Sequence, residues 1–157
     1  EHWETPSGFE AVLYHNHSIS DYVAVFVGTN DRRDILVDLR HAFGVETKHY
    51  SDAMEFAKHA METSNETARF VGHSLGGSLA MAAQAKYGST AVTFNSAGLN
   101  SKAVSGSVPT PGAVRNFYSA FDILQPVILL APSRIYGPSI SVGPAGFHGI
   151  KAMADGM

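Results

Sequence analysis

The segment Gly72-His73-Ser74-Leu75-Gly76-Gly77 constrains the fold more than any other part of the chain. It joins a short apolar run at residues 68–72 (ARFVG) directly to the Ala-rich stretch Leu75–Tyr87. A strand that becomes a helix within one residue must turn sharply. Glycines on either side of the turn remove Cβ atoms that would collide with neighbouring chain. The spacing therefore predicts a strand, a tight turn and a helix, with Ser74 strained and its hydroxyl lifted above the edge of a sheet. The N-terminus of the following helix would face negative charge developing beside that hydroxyl.

The rest of the chain supplies a matching frame. Residues 9–15 (FEAVLYH) and 21–28 (DYVAVFVG) read as neighbouring strands joined by a polar turn at 16–20. Asp31 and Asp34 look like the start of a helix through Ile35, Leu36, Leu39 and Phe43. Tyr50, Ala53, Met54, Ala57, Ala60 and Met61 recur at helical spacing, which predicts an amphipathic helix over 49–63. Ala91–Phe94 and residues 113–118 read as further strands, separated by a Ser/Gly/Pro loop at 100–112. Residues 126–148 hold four of the seven prolines and read as an irregular, partly apolar crossing. Such alternation predicts an α/β class: a compact α/β-hydrolase with a mostly parallel sheet and helices on both faces. With 157 residues, the expectation is a single catalytic domain over 1–157. The chain begins at Glu1 without a basic-then-apolar leader, which reads as an excised domain or a mature fragment.

A serine hydroxyl is a weak nucleophile, so it needs a base, and the base needs an orienting carboxylate. The absence of cysteine leaves no thiol to replace it. On a fold of this type the partners follow in the order acid, then histidine. Beyond Ser74 the chain holds one histidine, His148, and two acids, Asp122 and Asp155. Asp155 follows the histidine, so chain order leaves Ser74, Asp122 and His148 as the candidate triad. Two donors are needed for the oxyanion. The N–H of Leu75, just after the nucleophile, is one candidate. Thr29, in the Gly28-Thr29-Asn30 loop after the earlier central strand, is the other.

Taken together, Val25-Phe26-Val27-Gly28-Thr29, Asp34, the GHSLGG turn and the later TFNSAGL resemble the class 3 lipases, in particular compact bacterial lipase or phospholipase domains of secreted effectors. The resemblance runs over residues 9–99 and extends to the stretches around Asp122 and His148. It implies that Ser74, Asp122 and His148 form the triad, and that Thr29 and Leu75 form the oxyanion hole. It also implies acylglycerol or phospholipid substrates. Val27 stands where the family often carries arginine, and the stretch from Asp122 to His148 is shorter than usual.

The expected chemistry is ester cleavage through an acyl-enzyme, without cofactor or metal. An acyl-binding surface is expected from Ile123, Leu124, the run Val127, Ile128, Leu129, Leu130, and Ile135 with Tyr136. A net charge of -3 gives no electrostatic footprint for nucleic acid. The expected partners are a lipid or other acyl ester, transient contact with a membrane surface and, by analogy with delivered toxins, an inhibitory protein. The same resemblance implies secretion or delivery outside the producing cell. Two other readings remain open: a short-chain esterase or thioesterase, and a catalytically idle domain used for binding. His15 with His17, and Asp31 with Asp34 and Asp38, have the residue types of metal ligands. They read better as surface histidines and helix-start acids. His73 reads as a packing residue.

Overall fold

The computed structural model describes residues 1–28, 48–100, 104, 106–119 and 134–142. Among these, strands β1 (His2–Glu4), β2 (Glu10–Asn16), β3 (Asp21–Phe26), β4 (Arg69–His73), β5 (Ala91–Phe94), β6 (Val114–Tyr118) and β7 (Ser139–Ser141) form one sheet. They lie side by side in chain order. β1, β2 and β3 form an antiparallel meander, and every pair from β3 onward is parallel. The helices are α1 (Lys48–Thr63) and α2 (Leu75–Tyr87). The expected α/β class with a mostly parallel sheet is therefore what the chain forms.

Local chemistry accounts for these elements. Asn16 Oδ1 accepts the Ser18 N–H at 3.0 Å, turning the chain between β2 and β3. His15 and Tyr22, opposite each other in the ladder, stack at 4.0 Å. His17 meets His15 edge-on, and no third metal-capable side chain joins them among the described residues. At the start of the parallel region, the Arg69 guanidinium donates to the Asp21 carboxylate on neighbouring β3.

Strand order decides where the helices go. Steps from β3 to β4 and from β4 to β5 both move to the next strand in the same direction. Right-handed crossovers then put both connecting helices on one face. α1 and α2 indeed pack against each other, with the Tyr87 hydroxyl donating to the Met54 carbonyl at 2.9 Å. The two described helices share that face, and the expectation of helices on both faces includes a third. The helix expected from Asp31 onward lies outside the described residues.

The core sits between that face and the helices. α1 buries Ala53, Met54, Ala57, Ala60 and Met61 of the stripe that its periodicity marks, leaves Tyr50 half-buried, and adds Phe56. Phe56 stands edge-on to Phe26 at 5.5 Å and also packs on Trp3 and Phe9. α2 has no comparable polar face: residues 79–84 are all buried. It is a central helix, and its Ala-rich composition lets it lie close to the sheet. Some of the polar side chains that enter this layer are paired. The buried Thr93 hydroxyl donates to Asn116 Oδ1 at 2.6 Å, and Asn116 Nδ2 donates to the Tyr136 carbonyl.

Two edge strands depart from the sequence reading. β1 was not expected, and β7 falls inside the crossing read as irregular. Each has three residues, and all three of β7 are exposed. Their ladders hold them in place, helped in β1 by Trp3, which packs on the core.

Candidate active site

Ser74 occupies the junction of β4 and α2 with φ 56° and ψ −122°. Few non-glycine residues adopt this backbone, and it costs roughly 1–3 kcal/mol unless the surroundings enforce it. Here they do. The Ser74 N–H donates to the Phe94 carbonyl at 3.0 Å, extending the β4–β5 ladder by one rung. Its carbonyl accepts from Gly77 N–H at 3.0 Å and Ala97 N–H at 3.2 Å. The backbone is thus held from both its own helix and the loop after β5.

The flanking glycines are required by close approach rather than by unusual dihedrals. A Cβ on Gly72 would fall on the Gly76 carbonyl, and one on Gly76 would fall on the Phe26 carbonyl of β3. A Cβ on Gly77 would stand 2.8 Å from that of Ser96. The turn can only close against β3 and the loop after β5 if these positions lack side chains.

Against this well-bonded backbone, the Ser74 hydroxyl is bare. The residue is 1% exposed, and its Oγ has no hydrogen-bond partner among the described residues. Buried hydroxyls are normally paired, so an orphan at a strained turn is a departure from the usual pattern. Leu75 is the first residue of α2, so its N–H has no intrahelical carbonyl to bond and is free to serve an oxyanion. Gly28, leaving β3, lies against this turn: its ideal Cβ would stand 3.4 Å from Ser74 Cβ.

Of the sequence-assigned residues, the structure therefore brings together Ser74 and Leu75, with Gly28 beside them. Thr29, Asp122 and His148 lie outside the described residues, as do Asp31, Asp34, Asp38 and the whole apolar run from Ile123 to Ala131. Ile135 and Tyr136 are described. Both are half-buried and pack against the core. Ile135 also lines a cleft of about 270 Å³ with Ser96, Asn116, Phe117, Tyr118 and Ser139. Ser96 belongs to the loop that clasps the Ser74 carbonyl, so this cleft opens near the turn.

One residue beside Ser74 was not singled out by sequence reasoning. Asn95, at the end of β5, has φ 41° and is 1% exposed. Its N–H donates to Phe117 at 2.8 Å, and its Oδ1 accepts from Ser119 N–H at 2.9 Å. The signal was present, since Asn before Ser-Ala-Gly is a turn pattern in which Asn tolerates positive φ. Its ties to β6 are tertiary and leave no trace in the sequence.

A nucleophile-type turn on a parallel α/β sheet is a hydrolase arrangement. A family model described as phospholipase-like, a Tle-like phospholipase domain, matches residues 1–127. The chain belongs to that family. The extracellular phospholipase A1 of Serratia liquefaciens is 37% identical over 127 residues, covering 75% of this chain and 39% of that protein. The chain thus spans well under half the length of the curated relative. The family match includes Thr29, Ser74 and Asp122 and ends before His148.

Proposed function

We propose that residues 1–157 are a single catalytic domain that cleaves carboxylic esters of phospholipids or acylglycerols by serine catalysis. Ser74 is the nucleophile, His148 the base and Asp122 the acid that orients it. The N–H groups of Leu75 and Thr29 hold the oxyanion. Ser74 Oγ bonds to the ester carbonyl carbon as its proton passes to His148. The carbonyl C–O bond to the alcohol then breaks, and His148 returns the proton to the leaving oxygen. Water, deprotonated by the same histidine, releases the fatty acid from Ser74.

The observation that carries this reading is the buried Ser74 hydroxyl, unpaired among the described residues, on a strained strand-to-helix turn, in a chain of a phospholipase-like family. Gly28, packed against the turn, starts the loop that bears Thr29. β6 ends at Tyr118, on the strand edge that carries Ser74, four residues before Asp122. The name of the Serratia relative supports a phospholipid ester and release outside the cell. The kinship to class 3 lipases rests on the motifs around Thr29 and Ser74.

The test is hydrolysis of phosphatidylcholine vesicles, with lysophospholipid and fatty acid identified by mass spectrometry. Ser74→Ala is expected to lower turnover by more than about 10³-fold. Covalent labelling by a fluorophosphonate should vanish with it. Equal hydrolysis by wild type and Ser74→Ala would refute the serine mechanism. Rapid turnover of p-nitrophenyl butyrate with none on vesicles would instead assign a short-chain esterase.

A further inference from the structure

The cleft beside the Ser74 turn has a defined place, wall and size. The Ser74 N–H bonds the Phe94 carbonyl, and the Asn95 N–H bonds the Phe117 carbonyl. Ser74, Asn95 and Tyr118 therefore stand level at the ends of three adjacent strands, β4, β5 and β6. Phe117 and Tyr118 line the cleft, so it lies two strand spacings from Ser74, about 10 Å. Ser96 joins the two places. It lines the cleft, and its Cβ stands so close to Gly77 that no side chain fits there.

The wall is fixed by the fold. Ile135 lies between the Leu99–Arg134 bridge, with bonds of 2.8 and 3.0 Å, and Tyr136, whose carbonyl accepts from Asn116 Nδ2. The buried polar side chains of the wall are spent on the protein itself. Ser96 Oγ accepts the Gly98 N–H at 3.1 Å, and Asn116 uses both halves of its amide. Among the described residues, no side chain lining the cleft carries a charge. A phosphate or other ionic head group would find no cation there and would lose its water without return. A wall built on Phe117, Tyr118 and Ile135 suits hydrocarbon instead.

We infer that this cleft holds the far end of the substrate's acyl chain and sets the chain length that the Ser74 site prefers. The inference rests on the serine-hydrolase reading and adds to it a selectivity carried by Ile135 and Ser139. Place and size together give the length. A chain extends roughly 1.2 Å per bond, a third of the reach of one residue, so about eight carbons cross the gap from Ser74. The cleft of about 270 Å³ takes about nine more, at the roughly 30 Å³ that a water-sized group occupies. Chains of about 16 carbons therefore fill it, and chains of about eight or fewer do not reach it.

The experiment is a competition. Mixed micelles carry phosphatidylcholine and phosphatidylglycerol with octanoyl, lauroyl, palmitoyl and arachidoyl chains, and mass spectrometry counts the fatty acids and lysophospholipids released. Wild type is expected to release palmitate about tenfold faster than octanoate, and arachidate no faster than palmitate. Ile135→Trp fills the cleft and should cut the palmitate-to-octanoate ratio about fivefold. Ser139→Trp should do the same from an exposed position on β7, where the core is left alone. Ile135→Ala enlarges the cleft and should raise the arachidate-to-palmitate ratio about two- to threefold. A ratio within one reaction does not depend on how much of a variant folds, so a merely structural role would leave it in place. Equal release of all chains by wild type, or wild-type ratios in both tryptophan variants, overturns the inference. A changed choline-to-glycerol selection at wild-type chain ratios also overturns it, because the cleft would then face the head group. Should Ser74→Ala still release fatty acid, the serine reading itself fails, whatever the ratios show.

Discussion

Ser7 and Ser74 lie in two regions that both combine serine with histidine or carboxylate neighbours, and the regions are built in opposite ways. Ser7, in the loop between β1 and β2, donates to Asp52 Oδ2 at 2.6 Å, and Thr5 donates to the same oxygen at 2.8 Å. His49 donates from Nε2 to the Ser7 carbonyl, so its ring is aimed at the backbone and not at the hydroxyl. Both hydroxyls there are engaged, and the result clamps the loop onto the first turns of α1. At Ser74 the backbone is fully bonded and the hydroxyl has no partner among the described residues. A serine meant to hold structure spends its hydroxyl on a partner. One meant to react has its backbone fixed by neighbours and its oxygen left unspent.

The largest expected effect separates the two regions by their glycines. Gly76→Ala would drive a methyl into the Phe26 carbonyl, and β3 and α2 would have to part. A loss above about 3 kcal/mol is expected, read as failure to fold or a collapsed urea midpoint. Gly8, in the other loop, has φ 83° but room for a Cβ, 3.6 Å from His49 Nε2. Gly8→Ala should cost only about 1 kcal/mol. Equal losses in the two variants would mean that backbone conformation, and not close approach, governs the turn.

Asp52→Ala comes next. It removes one acceptor from two hydroxyls, and about 1–2 kcal/mol should be lost because the cluster is only partly buried. Smaller still is the contrast between the serines. Ser7→Ala should lose about 0.5–1 kcal/mol, whereas Ser74→Ala should melt at or slightly above the wild-type temperature. A Ser74→Ala variant markedly less stable than wild type would show that its hydroxyl is spent on structure after all.

The sequence made one side of this comparison legible and hid the other. The Gly-His-Ser-Leu-Gly-Gly turn could be read because it is local: strand, turn and helix occupy consecutive residues. β5 and α2 were readable to the residue for the same reason, and α1 began one residue earlier than its apolar stripe suggested. The Thr5–Ser7–Asp52–His49 clamp joins residues more than forty positions apart, and nothing in the pattern pairs them. Asn95 was hidden similarly, since its role depends on β6 lying beside β5. Strand order was equally out of reach, because alternation of strands and helices does not say which neighbour a strand chooses. Nothing in that alternation announced that the two described helices would share one face. β1 and β7 escaped because three residues cannot display a period. For the candidate triad, chain order could name Asp122 and His148, but only tertiary structure brings such residues to a serine.

The smallest effect is a pH dependence confined to the clamp. The Ser7 hydroxyl, with help from Thr5 and the charges of Lys48 and His49, holds the Asp52 carboxyl below its ordinary value of 3.8, although partial burial works in the opposite direction. The folded carboxylate therefore resists protonation more than the unfolded one. Above the unfolded value the stabilisation is complete. As pH falls through that value the unfolded chain takes up the proton first, and stability drains until the folded group is protonated as well. Asp52→Asn lacks this carboxylate at every pH, so its deficit in melting temperature should be constant near neutrality and shrink below about pH 4. Ser74→Ala should show no such convergence, because its hydroxyl makes no bond to a titrating group among the described residues. A deficit for Asp52→Asn that persists unchanged to pH 2 would mean that the clamp is held by shape and not by charge.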